Sequence, residues 1–447
     1  MEMSGQLKRQ LGFWDSVAIN IGVVIGVGIF RVPAEVAKVL GTPEMILLAW
    51  VLGGVVSLFG VLCYAELSSC LPQTGGTYVY LREAFGKITG FLFGWMEILV
   101  FRAGSLAGVA FVFAAYFKNV LPAGLGSEKA LAISAIFFFT ALNIAGMQFG
   151  KAIQNVLSTM KGLTLLAMTG IIFFWVQSWP APGAERGLEL SGKGMFLLAS
   201  AMIPVLWGYG GWHESTFMSG EFKDTKRALP LSLIASILII TALYVAINSA
   251  YLAVMTPARM AETPSIASSI FQSFFGASGG LIMTAAVIVS ACGALNSYIL
   301  TGARIPFAVA QDTARISFFG NVHGKLQTPV TAFVFNGLWA SVLVLWGNFE
   351  SLLFFTGFSK WLFFSLAGLS VFVLRKRRPA GSESFRITGY PVIPLFFTLF
   401  AVTLLVIDIT VAPREALFGA LLLGAGIPVY FVLQGQGASS RKTPGAG

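Results

Sequence analysis

Charge is scarce in this chain. Only 11% of its 447 residues are Asp, Glu, Lys or Arg, while 56% are hydrophobic, and the mean hydropathy is +0.81. A soluble protein of this size covers itself with charge; without it, most of the surface must face lipid. Cysteine is nearly absent. Cys63, Cys70 and Cys292 all lie in or beside apolar runs, which excludes a disulfide framework and a zinc spacing. The only histidines are His213 and His323, and there is no H-E-x-x-H, Walker loop or C-x-x-C motif. Metalloprotease, nucleotide-binding and dithiol chemistry therefore have no footing. The stretch "GASGG" at 276–280 formally matches a serine-nucleophile pattern, but that motif needs a strand before it, and here an apolar run follows. No N-x-S/T sequon occurs, and no separate soluble domain is expected.

What the chain has is apolar length. Runs of about 20 residues recur throughout, each long enough to cross the hydrocarbon core. The alternating pattern of a barrel strand is missing. The fold class is therefore an all-α membrane protein. About twelve spans are expected, near 13–37, 43–69, 88–117, 129–148, 153–178, 195–220, 231–255, 280–310, 329–347, 351–374, 391–412 and 415–433. The first is not a cleaved signal peptide, because Asp15 precedes its apolar core and no small-residue cleavage site follows. The net charge of +10 is a topology signal. With the N-terminus inside, Lys8, Arg9, Arg82, Lys87, Lys151, the run 375–378 and most other basic residues are cytoplasmic, leaving Lys38, Lys118, Lys129 and a few others outside. Both termini are thus expected in the cytoplasm. The basic residues are scattered over short loops, so no nucleic-acid partner is expected.

Two spans carry glycines at their middles. The first reads "NIGVVIGVGIF" over 20–30, with Gly22, Gly26 and Gly28; the sixth reads "PVLWGYGGWHES" over 204–215. Each interior glycine costs a helix about 1 kcal/mol relative to alanine. GxxxG spacing at Gly22 and Gly26 is also a helix-packing device. Two interrupted spans that are five apart, however, enter the membrane from opposite sides. That is the mark of inverted repeats around a transporter's central site. The spans then divide as five, five and two: 1–190, 191–378 and 379–447. Breaking over Ile25, Gly26, Val27, Gly28 and Ile29, the first span starts an outer half whose free N–H groups suit a carboxylate. The sixth span's outer half ends near Leu206 and Trp207, where free carbonyls suit an ammonium. Facing seats of this kind describe the α-carboxylate and α-amine of an amino acid.

Further motifs accompany these breaks: "LCYAELSSCLPQTGGTYVYLREAFG" over 62–86, "WMEILVFRAGS" in span three, "YGGWHESTFMSGEFKDTKRALP" over 209–230, "SACGALN" in span eight, and "FVLRKRRP" with "FRITGYPVIP" after span ten. As a set they resemble the amino acid–polyamine–organocation superfamily, and within it the L-type amino acid transporters and their bacterial relatives. The resemblance covers most of the chain and implies the leucine-transporter fold. The chain departs from the family pattern at Val27, His213 and Ala103, where Ser, Asn and Pro are common. The light subunits of heteromeric transporters carry a cysteine in the loop after span three. Here that loop has none, so no disulfide-linked heavy subunit is expected.

Ionisable residues inside spans are expensive and point to function. Lys161 lies in span five, where the resemblance implies a stand-in for a sodium ion that ties spans one, five and eight together. Its ammonium could be a fixed structural cation or a proton carrier. Lys360, in "TGFSKWLFF" of span ten, and Arg102 of span three are open between two roles. By resemblance they would hold an anionic substrate side chain. Otherwise they pair with Glu97, Glu66 or backbone carbonyls, and Glu97 and Arg102, five apart, do not share an α-helical face cleanly. Trp207 matches a family gate over bound substrate. Tyr209 and Trp212 are candidates for the pocket lining, Asn296 for a scaffold brace, and His213 for a hydrogen-bonded structural residue.

The expected function is sodium-independent transport of L-amino acids by alternating access, with exchange as the mode; proton symport and acidic amino acid exchange are the alternatives. An amino acid-binding receptor, a channel and a membrane-embedded enzyme are the rivals from other classes. No cofactor or metal is expected. The expected partners are the amino acid and membrane lipid, and the expected location is a bacterial inner membrane.

Overall fold

The computed structural model describes residues 3–4, 7–26, 28–122, 126–176, 187–188, 191–263, 265–346, 357–377, 384–411 and 413–434. Val27 and the expected start of span ten, 351–356, lie outside the described residues, as does the proposed repeat boundary at 190.

Helix dominates, and among the described residues the one sheet is a two-residue pairing of β1 (Met3–Ser4) with β2 (Val322–His323). Among the described residues seven helices are long and apolar enough to cross a membrane, and a bent pair taken as one span makes eight. The long ones are α3 (Pro43–Cys70), the run Lys87–Lys118, α8 (Met147–Trp175), α10 (Ala228–Val254), the run Ala277–Asp312, α17 (Val392–Val411) and the run Ala416–Gln434 within α18 (Pro413–Gln434). The bent pair is α1 (Phe13–Val24) with α2 (Gly28–Val39), joined at 50°. The remaining expected spans fall on α7 (Glu128–Ile144), α9 (Gly192–Gly208), α15 (Val330–Trp346) and α16 (Gly357–Arg377). Three short helices between spans were not expected from hydropathy: α4 (Thr77–Phe85), α11 (Pro257–Ala261) and α12 (Ile266–Phe275). The "GASGG" stretch turns α12 into α13 (Ala277–Gly302) through Gly276, at φ +58°, with no strand before it.

The usual distribution of polarity is inverted. Phe174 and Trp346 are among the most exposed side chains, while Glu97, Arg102, Lys161, Glu214 and Arg304 are buried. Lipid is as apolar as leucine, so helix association here depends on close packing and polar contacts. Within Lys87–Lys118, α6 (Ala103–Lys118) buries Ala103, Ala107, Ala110 and Ala114, a stripe at helical spacing, against Ala132 and Ala135 of α7 and Ala332 and Ala340 of α15. Asn296 braces spans four, five and eight: its Nδ2 donates to Gly150 O at 3.1 Å and Gln154 Oε1 at 2.8 Å, and its Oδ1 accepts from Asn143.

The sixth span is not two α-helical halves. α9 ends at Gly208, a turn follows, and the chain resumes as a 3-10 stretch, Glu214–Glu221. Gly211 sits in that turn at φ +109°, and a methyl group there would lie 2.3 Å from Val23 Cγ1. Only glycine allows both the conformation and the approach to the first span's break.

Candidate substrate site between two broken helices

The two breaks meet. A methyl group on Gly28, the first residue of α2, would lie 3.1 Å from Trp207 Cζ3 and 3.6 Å from Gly208 Cα at the end of α9. The start of α2 leaves amides free, and the ends of α1 and α9 leave carbonyls free. Part of this backbone polarity is taken up by side chains. Tyr244 OH donates to Val24 O at 2.6 Å and Gly208 O at 3.1 Å, linking both breaks; Ser290 Oγ donates to Ile25 O at 3.1 Å. Gly26 N–H turns to Val24 O, so Gly22 O loses its helical partner. Lys161 Nζ supplies one at 2.6 Å. Lys161 is 2% exposed and lies against Gly293, where a methyl group would fall 2.5 Å from its Cε. The Lys161 side chain thus ties the orphaned carbonyl of span one to spans five and eight.

Beside the breaks is a cavity of about 140 Å³. Val23, Val24, Gly26, Gly28, Trp207, Gly208, Gly210 and Gly211 line the side nearest the breaks. The rest of the lining includes Phe93, Glu97, Arg102, Ser105, His213, Glu214, Tyr298 and Phe364, with Lys360 set against Gly210 beside the carbonyl end of α9. Trp207 lines this cavity and is partly exposed.

The charges of the lining are ordered. Arg102 is 2% exposed. Its Nη2 donates to Glu97 Oε1 at 2.9 Å, and its Nη1 donates to Glu214 Oε2 at 2.8 Å and Thr301 Oγ1 at 3.0 Å. Five-residue spacing on an α-helix would turn Glu97 away from Arg102. Here the segment Glu97–Arg102 is a π-helix, whose wider turn brings the two onto one face. Among the described residues Lys360 forms no ion pair within 4 Å; its Nζ lies 5.9 Å from the centre of the Phe364 ring. Glu66 is not its partner, because Arg375 holds Glu66 at 2.5 Å from Nε and 2.6 Å from Nη2. No group of histidine, cysteine and carboxylate side chains fit to hold a metal ion exists among the described residues.

The family model for amino acid permeases matches residues 11–427, nearly the whole chain. The chain belongs to the amino acid permease family. It is a membrane transporter and not an enzyme. The permease is 30% identical over 441 residues to the serine/threonine exchanger SteT of Bacillus subtilis, covering 97% of this chain and 98% of that protein. It is 28% identical over 438 residues to large neutral amino acids transporter small subunit 2 of Rattus norvegicus, covering 95% of this chain and 81% of the other. It is likewise 28% identical over 437 residues to the human b(0,+)-type amino acid transporter 1, with 95% and 88% covered.

Of the residues singled out from the permease's sequence, Gly26, Gly28, Trp207, Arg102 and Lys360 line one cavity. Others do not. Ile25, Ile29 and Leu206 are buried with their apolar side chains in the core. Tyr209 is turned away; its OH donates to Trp50 O at 2.9 Å and its ring packs on Trp50 and Tyr244. Trp212 stacks on Phe364 with ring centres 5.4 Å apart, outside the main cavity. Ile25, Ile29 and Tyr209 are not among the residues that line this cavity, while Leu206 and Trp212 line a small neighbouring one together with Gly210, Lys360 and Phe364. Gly22 also packs: a methyl group there would overlap Gln154 Nε2 at 1.8 Å. His213, expected to be hydrogen-bonded, has a buried Nδ1 without a partner among the described residues. Glu214 escaped the sequence reading. One counter-charge for Arg102 was already at hand in Glu97, so the sequence held no signal for a second carboxylate.

Proposed function

We propose that this protein exchanges L-amino acids across the membrane by alternating access, without sodium. The start of α2 at Gly28 holds the α-carboxylate, and the carbonyl end of α9 near Trp207 holds the α-amine. No charged side chain is needed at either seat. The observation that carries this reading is the contact of the two breaks at Gly28, Trp207 and Gly208, beside a cavity. Its support from relatives is that they include a serine/threonine exchanger and neutral amino acid transporters. Residues 1–190 and 191–378 form the inverted repeats and 379–447 the added part, because the two broken spans occupy matching places.

Lys161 takes the place of a driving cation, and this favours exchange over sodium-coupled uptake. Trp207 closes over the substrate as the gate. The N-terminal side is closed by polar contacts between elements far apart in sequence. Lys151 and Asn155 hold Asp15 at 3.4 and 2.8 Å, Arg82 and Tyr78 hold Asp312 at 2.6 and 2.7 Å, and Arg304 holds Glu221 at 2.8 Å. Both termini lie in the cytoplasm of a bacterial cell, the protein sits in the inner membrane, and it works without a disulfide-linked heavy subunit.

The test is counter-flow in sodium-free proteoliposomes. Vesicles are preloaded with each amino acid in turn, and entry of the same labelled compound is followed. Entry that requires an internal amino acid and ignores added sodium is expected. Entry into empty vesicles at the same rate, or only with sodium, contradicts exchange.

A further inference from the structure

The cavity has two unfinished polar walls, one at Glu97 and Glu214 and one at Lys360 beside Gly210. On one wall, Glu97 and Glu214 share Arg102, which leaves a net charge of −1. Each carboxylate keeps one oxygen, Glu97 Oε2 and Glu214 Oε1, with no hydrogen bond among the described residues. On the other wall, the Lys360 ammonium has no carboxylate within 4 Å among the described residues; it lies over Phe364 and against Gly210, where a methyl group would fall 2.8 Å from Nζ. The two walls sum to zero charge, yet neither is satisfied by the other. His213 also lines the cavity, 8% exposed, its ring hemmed by Tyr64, Trp212, Phe217 and Phe364 and its Nδ1 unpartnered among the described residues. Buried polar groups left this way are costly, and a bound group that completes both walls removes the cost.

We infer that this subsite takes a primary carboxamide, the side-chain group of glutamine and asparagine; the inference rests on the transport reading of the same site. A carboxamide accepts through its oxygen, which Lys360 serves, and donates through its nitrogen, which the free oxygens of Glu97 and Glu214 serve. An acidic side chain satisfies Lys360 but sets a third carboxylate beside the other two. A basic side chain satisfies the carboxylates but faces Lys360. An aliphatic side chain leaves both walls unpaired. A neutral side chain also keeps the balanced charge of the walls, which matters where the dielectric is low.

The experiment uses the full chain in sodium-free proteoliposomes and compares entry of labelled glutamine, methionine and glutamate by counter-flow. Methionine matches glutamine in length without its polar end; glutamate matches its shape with a charge. Glutamine is expected to enter at least about tenfold faster than either, and in Lys360→Met the glutamine-to-methionine ratio should fall about tenfold. Methionine or glutamate entering as fast as glutamine in the unaltered protein overturns the carboxamide assignment and leaves the exchange reading standing. So does an unchanged ratio in Lys360→Met. If that variant does not fold, the ranking in the unaltered protein decides alone. Exchange of no amino acid at all overturns the exchange reading and the carboxamide with it.

Discussion

At Gly28 a single hydrogen in place of a side chain decides whether two helix ends can face each other. A methyl group would already press on Trp207, and a branched side chain has nowhere to go. Gly28→Leu is therefore expected to abolish amino acid binding while the helices stay formed. Ligand-induced thermal stabilisation measures this, and a shift equal to that of the unaltered protein contradicts it. Lys161→Ala strips the donor from Gly22 O and leaves a buried carbonyl unpaired, at a cost of about 1–3 kcal/mol. Exchange should fall at least about tenfold, because the break loses the cation that fixes it; an unchanged rate removes Lys161 from the mechanism. These residues were legible in the sequence for one reason. In an apolar run, a lone lysine or a cluster of glycines has no bland explanation in composition. Where the Tyr209 and Trp212 rings point was not legible, because the turn after Gly208, not helical periodicity, sets it: Tyr209 packs on Trp50, and Trp212 lines a small neighbouring cavity with Lys360.

At the scale of elements, the π-helical segment Glu97–Arg102 joins span three to the end of span six. Arg102→Met leaves Glu97 and Glu214 buried without a counter-ion and should cost about 3–5 kcal/mol. Adding Glu97→Gln and Glu214→Gln should restore much of that stability, since neutral amides need no counter-charge. Thermal unfolding in detergent reads both effects; a triple variant no more stable than the single one contradicts this account of the cluster. None of this joining could be read from spacing. Glu214 is 112 residues from Arg102, and the α-helical period separates two groups that the π-turn unites. The twelve apolar stretches were legible because length and hydropathy alone specify a crossing, whereas α4, α11 and α12, of five to ten residues, are too short to give that signal.

For the whole molecule, closure on the N-terminal side is a matter of a few polar contacts. Asp312 accepts from both Arg82 and Tyr78, so Asp312→Asn weakens one of them and should favour opening on that side. A cysteine placed at Ser105 on the cavity wall, in a chain cleared of Cys63, Cys70 and Cys292, reports this opening. Asp312→Asn should raise its labelling by an impermeant thiol reagent from the N-terminal side and lower it from the other. Equal labelling from both sides, with and without the substitution, contradicts alternating access.

The central claim is that backbone groups at two broken helices hold the α-carboxylate and α-amine. The most direct measurement takes whichever amino acid exchanges fastest and compares its binding with that of its methyl ester, its N-acetyl derivative and its D-enantiomer. All three altered compounds should lose at least about tenfold in affinity, because each removes or misplaces one of the two groups. An ester or N-acetyl derivative that binds as tightly as the parent would mean that the broken helices are not the seat of the substrate.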